Sequence, residues 1–189
     1  LYGITPLQKI FALDAATGKY LFSYDMGIQN VVRAIDPATG EKTIDRDLIP
    51  SRDKTLMVCP HGGGGRDWIP TSYNQLTRIV YVPAEETCIV FAPAGKGARG
   101  FLTTGVIETL SPPPNSDGKY GRLQAIDLQN RKTLWTVRQR AVQSSGVLAT
   151  GGGVVFAAAL DRYFTAYDDA TGKTLWRLRL NDISNAAPI

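Results

Sequence analysis

The 189-residue chain is 43% hydrophobic and 20% charged, with 19 Gly and 11 Pro; this excludes a disordered or collagen-like chain and fits many short strands joined by tight turns. Its formal charge of +4 comes from Lys and Arg scattered among acids, as at Arg131-Lys132, Arg138, Arg140 and Arg177, so nucleic acid, which needs a basic patch with stacking aromatics, is not an expected partner. No apolar run approaches the roughly 18 residues that span a bilayer, and Leu1 reads as a cut or processed end.

From the N-terminus a phrase begins that recurs along the chain: Ala12-Leu-Asp-Ala-Ala-Thr-Gly-Lys-Tyr-Leu-Phe22, then Ala34-Ile-Asp-Pro-Ala-Thr-Gly-Glu-Lys42. It returns as Ala125-Ile-Asp-Leu-Gln-Asn-Arg-Lys-Thr-Leu-Trp135 and Ala166-Tyr-Asp-Asp-Ala-Thr-Gly-Lys-Thr-Leu-Trp176. Asp opens a turn by accepting backbone N–H bonds and Gly closes it at positive φ, so each copy predicts a β-hairpin. Asp14, Asp36 and Asp168 are therefore turn residues and not a catalytic set. The first two copies lie only 22 residues apart, which predicts irregular early blades or two hairpins in one blade.

Between the second and third copies, two insertions are expected, at about residues 43–71 and 92–119. The first holds Cys59, His61, Gly62-Gly-Gly-Gly65 and Arg66-Asp67-Trp68. A disulfide between Cys59 and Cys88 would close a loop of about 30 residues, worth roughly 3.5 kcal/mol on the chain-entropy account, and would imply an oxidising compartment; two buried free thiols are the alternative. The glycine run lacks the Lys-Ser/Thr and helix of a phosphate cradle. His61 reads as a solvated loop histidine in preference to a proton shuttle, and Trp68 has core packing as its plain alternative. The second insertion, with Gly95-Lys-Gly-Ala-Arg-Gly100 and Pro112-Pro-Pro-Asn-Ser-Asp117, reads as an exposed loop.

The last two copies are 41 residues apart, the period of a four-stranded propeller blade, and Gly146–Thr150 and Gly153–Ala158 supply the two further strands of that repeat. Trp135 and Trp176 are expected to pack between neighbouring blades, with Phe22 in the same position of the first copy. The fold class is thus all-β, a β-propeller with almost no long helix, residues 1–189 forming one partial domain of about four blades. A propeller closes its ring to protect its edges, so the chain needs a partner or the rest of itself.

The Ala-x-Asp-x-x-Thr-Gly-Lys-x-x-Trp phrase resembles the tryptophan-docking motif of pyrroloquinoline-quinone (PQQ) dependent alcohol dehydrogenases, whose propellers have eight blades. More specific is Cys59-Pro-His-Gly-Gly-Gly-Gly-Arg-Asp-Trp68, which is similar to the family stretch where a Cys-Pro and a glycine-rich loop lead to Asn-Trp or Asp-Trp. Gly121–Asp127 and Ser144–Phe156 extend the likeness over nearly the whole chain, as part of the C-terminal portion of the propeller. The resemblance implies a Cys59–Cys88 disulfide. It implies PQQ stacked between a tryptophan and a vicinal disulfide, with calcium or a lanthanide bound to it, and an aspartate base that takes the alcohol proton as hydride moves to the quinone.

Those acidic ligands, the base, the stacking Trp and the Cys-Cys pair belong earlier in the family sequence, so no catalytic or metal-ligating residue is assigned here. The residues carried over as cofactor-binding are Asp67 and Trp68 at the quinone rim and Ser144 and Gly146 in a turn of a later blade. Asp67 departs from the Asn that would donate to the anionic cofactor, which points it toward a cation or the substrate. Lys9 is the nearest basic residue to one that contacts the quinone in relatives, but its register is off.

The implied partners are an alcohol, sugar or polyol and an electron acceptor such as a cytochrome c or a quinone. The implied location is the bacterial periplasm, including attachment to a membrane. The competing class is a non-catalytic propeller scaffold of the outer-membrane assembly type, which the Cys pair and the Arg66-Asp67-Trp68 stretch disfavour. Relatives continue into another strand beyond Asn185–Ile189, so a C-terminal cut is also expected.

Overall fold

The computed structural model describes residues 1–51, 53–95 and 105–189. These residues form sixteen strands and one short 3-10 helix, Arg46–Leu48. Two compact units divide them: Leu1–Asp67 with Thr87–Asn115, and Trp68–Glu86 with Ser116–Ile189.

In the first unit, β1 (Tyr2–Ile4), β2 (Lys9–Leu13) and β3 (Tyr20–Asp25) form a three-stranded antiparallel sheet. The strands β4 (Val32–Ile35) and β5 (Lys42–Ile44) form a separate hairpin, so the first two copies of the repeat do not share a sheet. A third sheet has the order β10-β9-β6, from β6 (Leu56–Val58), β9 (Cys88–Pro93) and β10 (Val106–Ser111). The two expected insertions are thereby corrected: each contributes a strand, because Leu56–Val58 and Val106–Ser111 both find the two open edges of β9. Lys96–Gly100 of the second insertion lies outside the described residues.

The second unit holds two four-stranded sheets. One has the order β12-β11-β8-β7, from β7 (Ser72–Asn74), β8 (Ile79–Glu85), β11 (Gly121–Asp127) and β12 (Lys132–Gln139). The other runs β13-β14-β15-β16, from β13 (Leu148–Ala149), β14 (Val154–Ala158), β15 (Tyr163–Asp168) and β16 (Thr174–Arg179). Two complete four-stranded blades, two three-stranded sheets and a hairpin thus stand where about four blades were expected, and the irregular sheets belong to the early part of the chain.

All four copies of the repeat form hairpins, and their turns behave as the sequence predicts. Asp14, Asp36 and Asp168 each accept from the backbone N–H three residues on, at 2.8–2.9 Å. For Asp14 and Asp168 the threonine hydroxyl, and for Asp36 the backbone N–H of Thr39, leads in holding the carboxyl below the usual carboxylate range. Gly18, Gly40 and Gly172 take φ of 71°, 78° and 71°. The third copy has Arg131 there, at φ 54°.

The core of the second unit joins both of its sheets: Ile79, Tyr81, Leu123, Ala125 and Trp135 pack with Val147, Val155, Ala157 and Tyr167. Pro83 sits in the central strand β8 without breaking the sheet because β7 pairs only Ile79–Tyr81. Trp135 is buried between the sheets as expected, whereas Trp176, 48% exposed, meets only Phe164 of its own sheet among the described ring contacts.

Candidate functional site

In the first unit Cys59 and Cys88 are disulfide-bonded, with Cα atoms 4.3 Å apart. Asn30 braces the bond's approach by accepting from the Cys59 N–H at 2.8 Å and donating to the Met57 carbonyl at 3.1 Å. His61 is half-buried and not freely solvated: its N–H donates to the Thr87 carbonyl at 2.8 Å, and its Nδ1 accepts from the Gly63 N–H at 3.2 Å.

The second half of the glycine run has a steric cause. A β-carbon on Gly64 would lie 2.6 Å from Pro6, and one on Gly65 would fall 1.6 Å from the Gln8 amide, so the loop reaches the 6–8 segment only without side chains. The Gly65 N–H donates to the Pro6 carbonyl at 2.9 Å. Arg66 extends this lashing by donating to the Ile4 carbonyl at 3.5 Å, and burial lowers its pKa against the opposing pull of Tyr2 and Asp67. Asp67, the last residue of this unit's first segment, is exposed. Lys9 is buried on β2 and ion-paired with Asp25, so its ammonium is already committed.

In the second unit Trp68 holds its indole out, 66% exposed, so core packing is not its role in this unit. The loop behind it runs directly onto the Ser144–Gly146 turn: the Val147 N–H donates to the Pro70 carbonyl at 3.2 Å, and the Ala149 N–H donates to Ser72 Oγ at 2.9 Å. Residues 76 or more positions apart in sequence, Trp68 and Ser144, are thereby carried on adjoining loops. Ser144 is buried, and its hydroxyl has no hydrogen-bond partner among the described residues. Gly146 is packed on one side, since an added β-carbon would lie 2.7 Å from Ala187 and 3.2 Å from Pro70.

An ion-pair cluster closes the far end of β8. Glu86 accepts from Arg138 Nε at 3.0 Å and pairs with Arg122 at 3.5 Å, while Arg138 also reaches Asp117 at 2.9 Å. Every acid in this cluster is answered by arginine, which suits a structural clasp and leaves no lone general base. Among the described residues no three His, Cys, Asp or Glu side chains converge as a metal site, and no helix is long and apolar enough to cross a membrane.

Residues 41–189 match the family model described as the β-propeller domain of PQQ glucose/ethanol/alcohol dehydrogenases. The chain belongs to this family. It is similar to the lanthanide-dependent methanol dehydrogenase of Methylorubrum extorquens, 29% identical over 180 residues that cover 89% of this chain and 30% of the relative. It is also similar to the lupanine 17-hydroxylase [cytochrome c] of a Pseudomonas species, 30% identical over 94% of this chain and 26% of the relative. Among solved structures, a europium-containing methanol dehydrogenase superposes with a TM-score of 0.86 at 22% identity, over all of this chain and 33% of that one, which shows the shared propeller fold. The chain spans about a third or less of the length of the curated relatives it matches.

Set in a PQQ dehydrogenase propeller, the second unit's loops suit a flat, polar group: an exposed indole to lie along it and an unanswered hydroxyl to bond it. The sequence singles out Trp68 and Ser144 but not their neighbours Pro70, Ala187 and Gln143. Pro70 and Ala187 carry no chemical signature in sequence, because their part is to fill space beside Gly146. Gln143 was legible only as a polar residue next to Ser144, since its burial is a tertiary fact.

Proposed function

We propose that this chain is part of a PQQ-dependent dehydrogenase that oxidises an alcohol, or a sugar or polyol, by hydride transfer to the quinone. The observation that carries the reading is the junction of the Trp68–Pro70 loop with the Ser144–Val147 turn, in a chain of this family. Trp68 presents its indole face and N–H to the cofactor rim, and the Ser144 hydroxyl donates to a cofactor oxygen. Gly146 lines the same turn with bare backbone. Asp67, which belongs to the first unit, faces a cation or the substrate in this reading.

Bound PQQ supplies the two-electron acceptor, with calcium or a lanthanide as its Lewis acid. The base and the metal ligands are assigned outside this chain. A cytochrome c or a quinone takes the electrons onward in this reading, the cytochrome being supported by the name of the lupanine relative. The Cys59–Cys88 bond supports a periplasmic location, at the membrane or free of it, because disulfides persist in oxidising compartments.

The test is reconstitution of the native protein with PQQ and either calcium or a lanthanide, followed by alcohol-dependent reduction of an artificial electron acceptor. PQQ-dependent turnover is the expected result. A protein that takes up no PQQ under either metal would instead be a propeller scaffold, and the dehydrogenase reading would fail.

A further inference from the structure

Three consecutive residues of the second unit, Gln143, Ser144 and Ser145, are buried, with Gln143 only 4% exposed. Their backbone is pinned to the end of β14. Gln143 bridges to Ala159, and the N–H groups of Ser144 and Ser145 both donate to the Ala158 carbonyl, at 3.1 and 3.3 Å. The side chains then divide. Ser145 is satisfied: its hydroxyl accepts from the Ala158 N–H at 2.8 Å and donates to the Gly146 carbonyl at 2.9 Å. The Gln143 amide nitrogen, the Gln143 amide oxygen and the Ser144 hydroxyl have no hydrogen-bond partner among the described residues.

A buried polar group without a partner destabilises the fold, and Leu or Met would fill the space of Gln143 without that cost. An amide in this place therefore calls for a partner from outside the chain's own atoms. Its position narrows the partner's chemistry. Gln143 adjoins Ser144 in sequence, on the turn that meets the Trp68–Pro70 loop through Val147 and Pro70, and so stands next to the cofactor contacts proposed above. A primary amide offers two donors beside an acceptor. PQQ presents the matching edge, a carboxylate next to a pyrrole N–H.

We propose that Gln143 is a cofactor-binding residue whose amide pairs with this carboxylate and N–H edge, the Ser144 hydroxyl adding a second donor to the carboxylate. The proposal rests on the PQQ reading and adds to it a residue that neither the repeat nor the glycine-rich stretch points to. Turning the amide toward the ligand breaks no hydrogen bond among the described residues, because it makes none there.

The test uses the native protein freed of PQQ, as wild type and as Gln143→Leu, each titrated with PQQ by quenching of tryptophan fluorescence and each melted without PQQ. The Leu variant is expected to melt about 2–4 °C higher, the shift that removal of one unpaired buried group gives a domain of this size. It is also expected to bind PQQ about tenfold more weakly. Gln143→Glu, which sets a negative charge against the anionic cofactor, weakens binding further. Equal PQQ affinity in wild type and Gln143→Leu overturns the assignment while leaving the dehydrogenase reading intact. So does a lower melting point of the Leu variant without PQQ, which would reveal a partner for the amide inside the protein. A wild type that binds no PQQ overturns the underlying reading itself.

Discussion

Trp135 lies flat against Gly172: a β-carbon on Gly172 would sit 2.7 Å from the indole ring, while the indole N–H donates to the neighbouring Asp169 carbonyl at 2.9 Å. One hairpin of the repeat thus receives the aromatic of the preceding one, and β12 of one sheet is fastened to the β15–β16 turn of the next. The first unit repeats the device with a shift, since a β-carbon on Gly40 would lie 2.7 Å from the ring of Tyr20, two residues before Phe22.

This contact predicts that Trp135→Ala destabilises the protein by about 3–5 kcal/mol, through lost burial and a cavity. Gly172→Ala, strained by both its φ of 71° and the indole, costs about 1–3 kcal/mol. Urea unfolding followed by tryptophan fluorescence measures both, and an unchanged midpoint for Gly172→Ala would count against the docking geometry.

At Arg131 the same turn position is occupied by a residue that adopts positive φ at a cost. Arg131→Gly should stabilise the β11–β12 hairpin by about 0.5–1 kcal/mol, the relief of left-handed strain outweighing the entropy of a glycine. A destabilised variant in the same urea assay would mean that the Arg131 side chain contributes more than its backbone loses.

Removing the Cys59–Cys88 crosslink by the double change Cys59→Ser and Cys88→Ser should lower stability by about 3.5 kcal/mol, the chain-entropy value for a closed loop of this length. Thermal unfolding of wild type with and without reductant provides the matching measurement, and both treatments should shift the midpoint downward.

Burial pushes the Tyr81 phenol up to about 12, with the Asp169 carboxylate adding to the rise and Thr77 opposing it. Because the folded value lies above the unfolded value near 10, Tyr81 contributes stability that is fully present below about pH 10 and is lost as the pH climbs through about 12. Urea midpoints taken from pH 9 upward should fall less steeply in Tyr81→Phe than in wild type. Tyr167, raised in the same direction by its burial, is the comparison residue, so Tyr167→Phe should give a slope of the same sign.

The exposed Trp68 gives a prediction of the opposite kind. Trp68→Ala should leave the urea midpoint within about 0.5 kcal/mol of wild type, because little of the indole is buried. On the PQQ reading it should weaken cofactor retention about tenfold, from the loss of an aromatic face and an N–H donor. Dialysis of the reconstituted protein, with PQQ measured by absorbance, separates the two effects; full retention would remove Trp68 from the cofactor rim.

What the sequence determined by itself was local and periodic. Asp-x-x-Thr-Gly fixes a turn through bonds made within four residues, so all four hairpins were legible, and so was the blade formed by residues 148–179 from its 41-residue spacing. The cysteine pair and the Arg66-Asp67-Trp68 stretch were legible because their residue types are rare and chemically marked. Tertiary structure alone decided three things. It gave Leu56–Val58 and Val106–Ser111 to the edges of β9, since strand pairing across such distances depends on which edge is open and not on local pattern. It explained Gly64 and Gly65 of the glycine run by the approach of Pro6 and Gln8, more than fifty residues earlier in the chain. It also buried Gln143 without a protein partner beside Ser144, because burial and hydrogen-bond satisfaction belong to the packed chain and leave no mark on the order of its residues.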